Sequence, residues 1–164
     1  RKNKKIKTSK ELSSIINDAK KNFKYYKKNP ATKTFQAIRI FINQELTELV
    51  AGLIEAAKLL KKGGILVVVS FHSLEDRIVK NFFNLYSNLK KNPSRYLPED
   101  KKESILFHNF SKKPLVPSTD EVKKNARSRS AKLRYVIRNN NLFLYPAEFK
   151  KKFNYFSNLE GINL

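Results

Sequence analysis

The sequence predicts an α/β fold, and three observations carry that prediction. Ile65–Val69 is an aliphatic run with the length and composition of a strand buried on both faces, as in a parallel sheet. Gly63-Gly64 ends the segment before it. From Ile78 onward the apolar residues return to helical spacing. We therefore predict a buried strand that ends near residue 72 and is followed directly by a helix, as in an α/β unit.

Two helical segments precede this strand. Thr8 and Glu11 have the spacing of a capping box, and the helix that they begin is predicted to fade near Tyr25-Tyr26. Ala31–Lys62 is helical in pattern again. Because 32 residues are long for a helix of a globular protein, we expect a kink or break within it.

The strand is expected over Ile65–Phe71, and the next helix over Ser73–Tyr86. Ser73 is the predicted N-cap of that helix, and Ser73-x-x-Asp76 is its predicted capping box. The inward face of the helix is predicted to carry Ile78, Val79, Phe82, Phe83 and Tyr86.

The remaining sequence has weaker patterns. Residues 87–131 are predicted to form a long loop. Four apolar side chains are expected to anchor parts of it to the rest of the fold: Phe107, Phe110, Leu115 and Val116. Ala131–Arg138 alternates as a strand does, a turn of asparagines follows, and Leu142–Tyr145 is a candidate return strand. Residues 146–164 are aromatic and rich in lysine, without a clear fold signal.

Charge points to a polyanionic partner. The net charge is +21, with 11 basic and 2 acidic residues in 1–30, and 17 basic and 7 acidic residues in 89–164. The intervening residues are nearly neutral and carry the core-forming pattern. Nucleic acid is the simplest partner for such flanks. The alternative is a solvated surface in a protein whose whole composition is biased towards lysine and asparagine.

Composition excludes several classes of site. The chain has no cysteine and only two histidines, so it offers no thiol nucleophile and no protein-built zinc site, and we expect no metal. No apolar stretch approaches the ~20 residues of a membrane span, and the expected location is the cytoplasm. Because the chain begins at Arg1 and lacks methionine, we expect a fragment or a trimmed product.

Chemically versatile side chains cluster after the strand, at the edge where open α/β sheets bind ligands: Ser70, His72, Ser73, Glu75, Asp76 and Arg77. His72 is either a base or hydrogen-bond partner for a substrate, or a residue that caps the helix. Arg77 either clamps a phosphate or carboxylate, or pairs with a neighbouring acid. Glu75 and Asp76 are possible bases, but acids are also expected in a first helical turn.

Other motifs narrow the chemistry. The segment around Ser70 lacks the glycines of a nucleophile elbow, which argues against a Ser-His-Asp hydrolase. Neither dinucleotide-binding nor P-loop glycine spacing occurs in the chain. In Asn125–Ser130, Arg127 and Arg129 alternate with hydroxyls, which suits either phosphate contacts or a solvated loop.

Three segments together resemble one family. They are Pro30–Ile40 with Asn43 and Glu45-Leu46 after it, Gly63-Gly64 with Ser70–Lys80, and Asn125–Arg134. Their order and sequence resemble the MraW (RsmH) family of S-adenosylmethionine-dependent methyltransferases of small-subunit ribosomal RNA. Lys33 stands where the family pattern has Arg, and Ala126 where it has Pro.

The resemblance implies the carboxyl-terminal part of a Rossmann-like class I methyltransferase. Residues 1–30 would be the end of an inserted helical domain, 31–145 the carboxyl-terminal part of the methyltransferase domain, and 146–164 a basic aromatic tail. The family's glycine-rich cofactor loop and ribose-binding acid would precede this stretch, so no cofactor-binding residue is assigned here.

The resemblance also implies a reaction, which is methylation of the exocyclic N4 of a cytidine with S-adenosyl-L-methionine as cofactor. His72, Ser70 and Ser73 would be the catalytic residues, at the border of the pocket for the target base. The RNA would contact six other residues: Thr34, Gln36, Arg39, Arg77, Arg127 and Arg129. The partner would be small-subunit ribosomal RNA or the assembled subunit. The alternative is a non-catalytic basic protein that binds ribosomal RNA.

Overall fold

The computed structural model describes residues 5–20, 29–87, 105–108 and 113–160, and the side chains up to residue 153. The chain divides into two compact units, residues 1–45 and 46–164. Among the described stretches, no helix combines the length and apolarity needed to cross a bilayer.

The first unit holds helices α1 (Ser9–Ala19) and α2 (Thr32–Ile42). As predicted, Thr8 caps α1, and its hydroxyl accepts the N–H of Glu11. The Glu11 carboxylate accepts the N–H of Lys7, however, and not that of Thr8. The helix ends at Ala19, before the predicted Tyr25-Tyr26, and residues 21–28 lie outside the described part.

The long helical pattern breaks as expected. After α2, Gln44 adopts a positive φ of 51°, and α3 (Glu45–Leu59) begins at the next residue. A left-handed residue cannot continue a right-handed helix, so Gln44 ends the first helical stretch. From Leu46 onward α3 belongs to the second unit, and it buries five apolar side chains: Leu46, Val50, Leu53, Ile54 and Ala57.

The second unit contains a three-stranded sheet: β1 (Ile65–Ser70), β2 (Phe107–His108) and β3 (Lys132–Arg138). The order is β1-β3-β2, and β3 runs antiparallel to both neighbours. β1 and β2 therefore run in the same direction on either side of β3. The predicted strands over residues 65–71 and 131–138 are confirmed, while the described partner of β1 is antiparallel and not parallel.

The two faces of the sheet differ in burial. Ile65, Val67 and Val69 are 57%, 52% and 49% exposed. They lie in register with three half-buried β3 residues, in the pairs Ile65–Ile137, Val67–Tyr135 and Val69–Leu133. The prediction that β1 is buried on both faces is wrong for the described residues, because this face is apolar but only partly covered. The opposite face buries Ser70, Arg134 and Val136.

Helix α4 (Ser73–Tyr86) has the predicted bounds and buries all five predicted inward residues. Its aromatic rings form a cluster with Phe107 of β2 and with Phe149 of α6 (Ala147–Glu160). The ring centroids of Phe82 and Phe149 lie 5.1 Å apart, edge to face. The tail after residue 146, which showed no fold signal, thus contributes a helix that packs into the core.

The segments between these elements correct three further expectations. Phe107 is fully buried, and Leu115 anchors the loop through two backbone hydrogen bonds of 2.9 Å to Leu133 of β3, although its side chain is exposed. Val116 is exposed, and Phe110 lies outside the described residues. Helix α5 (Thr119–Lys124) and a 3-10 helix (Ala126–Ser130) lie where a loop was predicted. Residues 142–145 form no strand, and the carbonyl of Leu144 accepts the hydroxyl of Tyr86.

Candidate functional site

The amino-terminal turn of α4 is closed by a reciprocal capping box between His72 and Glu75. His72 is the N-cap, and its Nδ1 accepts the backbone N–H of Glu75 at 3.4 Å. Glu75 Oε2 accepts the N–H of Phe71 at 2.9 Å and that of His72 at 3.3 Å. The predicted N-cap, Ser73, is instead the first helical residue. The predicted Ser73–Asp76 box is therefore wrong by one residue.

The side chains of the box also approach each other directly. His72 Nε2 lies 3.2 Å from Glu75 Oε1, and only 9% of the His72 side chain is exposed. Both ring nitrogens therefore face the first turn of α4. The structure shows the helix-capping interpretation of His72, and it leaves the catalytic interpretation a prediction.

Asp76 ties the same turn to β3. Its Oδ1 accepts from Nε of Arg134 at 2.7 Å, and its Oδ2 accepts from Nζ of Lys132 at 3.1 Å. Burial raises the pKa of Asp76, but the bonds and positive charges of Arg134 and Lys132 outweigh it, so the net pKa lies below the usual value. Arg134 is only 4% exposed, so α4 and β3 are joined by a largely buried ion pair.

The other predicted residues around this turn have different settings. Ser70 is buried, and its hydroxyl donates to the carbonyl of Lys132 at 3.4 Å, a long hydrogen bond that crosses the sheet. Ser73 and Arg77 are exposed on the first turn of α4. Because Glu75 bonds to the cap and Asp76 to β3, these acids have partners other than Arg77. The structure thus brings all of the predicted residues 70–77 to one strand-to-helix junction.

The 3-10 helix before β3 presents two predicted arginines to solvent. Asn125 Oδ1 accepts the N–H of Arg127 at 3.1 Å, and the hydroxyl of Ser128 donates to the carbonyl of Asn125 at 2.8 Å. Ser128 is buried, whereas Arg127 and Arg129 are exposed. The buried serine and the asparagine cap fix the turn, so the two guanidinium groups project from a defined backbone.

The α2 residues of the predicted RNA surface belong to the first unit. Thr34 and Gln36 are half-buried. Arg39 is exposed, and its Nε lies 2.7 Å from the carboxylate of Glu45. Arg39 is therefore paired with an acid of its own unit. An RNA phosphate would have to compete with the Glu45 carboxylate for this guanidinium group.

The described glycines are not placed as a glycine-rich nucleoside-binding loop would need them. Of the three glycines in the described part, Gly52 lies within α3, and Gly63 and Gly64 form the turn before β1. None stands between a strand and a following helix, where a backbone cradle for a nucleoside would need it. The described residues of the α4 turn and the 3-10 helix offer hydrogen bonding, a helix amino terminus and exposed guanidinium groups.

The principal residues that sequence reasoning missed are Arg134 and Lys132. Both lie on the strand face that meets α4, where an arginine is unexpected unless an acid faces it. The available signal was the pair of basic residues at alternate positions 132 and 134 of the predicted strand, together with two acids in the first turn of the helix.

Comparison with known proteins gives a single family. The sequence model of the MraW methylase family matches residues 1–139. The chain is 52% identical over 136 residues to ribosomal RNA small subunit methyltransferase H of Borreliella afzelii (strain PKo), covering 83% of this chain and 40% of that protein. The protein of the same name from Sulfurihydrogenibium sp. (strain YO3AOP1) is 47% identical over 135 residues, covering 82% and 41%. The chain spans about 40% of the length of such curated relatives.

Proposed function

The chain belongs to the MraW methylase family, and we propose that it forms the carboxyl-terminal part of an enzyme that methylates small-subunit ribosomal RNA. The observation that carries the proposal is the match over residues 1–139, together with relatives named for this activity. The proposed reaction transfers a methyl group from S-adenosylmethionine to the exocyclic N4 of a cytidine, and its setting is the cytoplasm.

The sheet supports a larger, Rossmann-like fold around this chain. An otherwise parallel sheet often carries an antiparallel strand near one edge, and β3 between β1 and β2 fits that position. Within the described residues, the outer edge of β1 has no pairing strand. The apolar face formed by Ile65, Val67 and Val69 calls for covering elements. Further strands beside β1 and helices over this face would satisfy both.

Residues of the α4 turn would then orient the target base. The cytidine amine is a poor nucleophile because its lone pair is delocalised into the ring, so alignment and nearby hydrogen-bond acceptors lower the barrier. His72 and Ser73 stand at the carboxyl end of β1, where α/β enzymes bind ligands. The hydroxyl of Ser73 is exposed there, whereas Ser70 is buried and acts on the turn through the sheet.

The exposed arginines would hold the RNA. Arg77, Arg127 and Arg129 are exposed in the described residues, and guanidinium groups bind phosphates bidentately. Thr34, Gln36 and Arg39 on α2 would add contacts from the first unit. S-adenosylmethionine, when bound, supplies the electrophilic methyl group, and its binding residues are proposed to lie outside this chain.

The direct test uses the complete translation product of the gene that encodes this chain. It is incubated with labelled S-adenosylmethionine and with small subunits lacking the modification, and the product nucleoside is identified by mass spectrometry. We expect N4-methylcytidine, with no incorporation into subunits that already carry the methyl group. Methylation of another atom, or none, would contradict the proposal.

A second experiment separates the enzyme from a non-catalytic RNA-binding protein, which the exposed basic residues alone would support. Binding of S-adenosylmethionine is measured by calorimetry on the complete product and on residues 1–164 alone. The proposal expects binding and methyl transfer by the complete product and neither by residues 1–164. A complete product that binds RNA but not the cofactor would favour the non-catalytic alternative.

A further inference from the structure

Helices α4 and α6 enclose a groove of about 510 Å³ on the surface of the second unit. Its apolar floor is formed by Leu85 and Phe149. Phe149 makes an edge-to-face contact with Phe82, which joins α6 to α4, and a second one with Phe153 of its own helix. We call this feature the α4–α6 groove.

The rim of the α4–α6 groove is polar and belongs to both helices. Asn81 and Asn84 line it from α4, and Glu148, Lys151 and Lys152 line it from α6. The three α6 side chains are exposed, and the two amides are half-buried. Lysine amines, amides and one carboxylate are thus gathered beside an apolar surface.

Half of the groove lies outside the family match. The family model ends at residue 139, and α6 begins at Ala147. The α6 side of the groove is therefore formed by residues that the family model does not match. The α6 side lies in a stretch, residues 89–164, that carries 17 basic and 7 acidic residues.

We infer that the α4–α6 groove is a second RNA-binding site, which takes the sugar–phosphate backbone of a single-stranded segment of the ribosomal RNA. Lys151 and Lys152 would bind phosphates, the amides of Asn81 and Asn84 would bond to phosphate or base edges, and the apolar floor would contact the sugar. The inference rests on the proposed function only in that the RNA is ribosomal.

Glu148 gives the groove a preference for RNA over DNA. A carboxylate repels phosphates, so it weakens a site for any polyanion by itself. It is also a strong acceptor for a ribose 2′-hydroxyl, the group that DNA lacks. Glu148 precedes Lys151 by three residues and Lys152 by four, so all three lie on one side of α6. This arrangement suits a ribose hydroxyl next to a phosphate.

The test measures binding of one single-stranded small-subunit RNA segment, and of the DNA of the same sequence, at several salt concentrations. Lys151→Gln/Lys152→Gln is compared with Lys61→Gln/Lys62→Gln, which removes the same charge from two adjacent exposed lysines before β1. Lys150→Gln is a second control, because Lys150 lies over the Tyr145 ring and does not line the groove. Circular dichroism and thermal midpoints establish that every variant is folded.

We expect the groove variant to bind RNA severalfold more weakly than either control, with a salt dependence less steep by about 2 in the slope of log K against log salt. Equal losses in the groove variant and the Lys61/Lys62 control would overturn the inference, and so would a wild-type chain that binds no RNA. Glu148→Ala is expected to bind DNA more tightly and to lose preference for RNA, and an unchanged preference would overturn the role of the carboxylate. Groove binding without methyl transfer by the complete product would reject the proposed function alone.

Discussion

The first turn of α4 and the 3-10 helix before β3 use charge in opposite ways. At the α4 turn, Asp76 turns inward and bonds to Arg134 and Lys132 of β3. In the 3-10 helix just before β3, Arg127 and Arg129 turn outward, while only Ser128 is buried. The first arrangement holds elements together, and the second leaves cations available to a ligand. Substitutions in the two regions are therefore expected to have different consequences.

Asp76→Asn is expected to have the largest effect on stability. It removes the charge that compensates the buried Arg134, and breaking one side of a buried pair costs on the order of 3 to 5 kcal/mol in the free energy of unfolding. Urea denaturation measures the loss. Asp120→Asn is the matched control, because its pair with Lys123 is exposed and its loss is worth only about 0.5 kcal/mol or less. Equal losses would show that the inward pair holds nothing together.

The contribution of Asp76 is also expected to depend on pH. The pKa of this carboxyl is lower in the folded chain than its unfolded value of 3.8. A depressed pKa stabilises the folded state above the unfolded value, and the contribution is lost as the pH falls through the folded value. The difference in unfolding free energy between the wild type and Asp76→Asn, followed from pH 7 downward, should therefore shrink below about pH 4. A difference independent of pH would contradict this ion-pair account.

His72→Ala is expected to have an intermediate effect, about 1 kcal/mol of stability, because it removes an N-cap. His72→Asn keeps a good capping side chain and is expected to recover most of that loss. Thermal midpoint and kcat are measured on the same preparations of the complete protein. If His72 also orients the substrate amine, both variants lose turnover by more than they lose RNA affinity. A kcat of His72→Asn equal to that of the wild type would show that His72 acts only as the N-cap of α4.

Arg127→Gln/Arg129→Gln is expected to have the smallest effect on stability, within about 0.5 kcal/mol, because both side chains are exposed. RNA affinity is expected to fall, and the slope of log K against log salt to become less steep by about 2. Binding titrations at four salt concentrations measure both. RNA affinity that does not change would remove these arginines from the proposed interface.

The contrast between regions also explains what the sequence could predict. The bounds of α4 followed from its repeating apolar face, which any packing of the helix would bury. The predicted cap is off by one residue because each of two registers satisfies half of the capping-box pattern. Ser73 offers the usual hydroxyl with Asp76 three residues on, and Glu75 is the usual acid with His72 three residues before it. Arg134, 58 residues away, engages Asp76 and leaves Glu75 to the backbone. Which acid bonds to the helix cap is therefore decided by a tertiary contact, and local sequence spacing could not predict it.

Tertiary contacts also decided the two larger misses. The apolar run of β1 predicts a strand between parallel neighbours, but its described partner is the antiparallel β3, which follows it by more than 60 residues. α6 was missed because a lysine-rich composition concealed Phe149 and Phe153, whose spacing of four places them on one helical face. Pro146, directly before the helix, was the other usable signal.

We expect inward charge at the α4 turn to stabilise the fold, and outward charge in the 3-10 helix to bind RNA. The most direct measurement compares Asp76→Asn with Arg127→Gln/Arg129→Gln, with unfolding free energy and RNA affinity determined on each preparation under conditions where both are folded. We predict that the first variant loses stability by at least about 3 kcal/mol with little change in RNA affinity. The second variant is predicted to lose RNA affinity at unchanged stability. Equal losses of stability and of RNA affinity in the two variants would contradict this division of roles between the two regions.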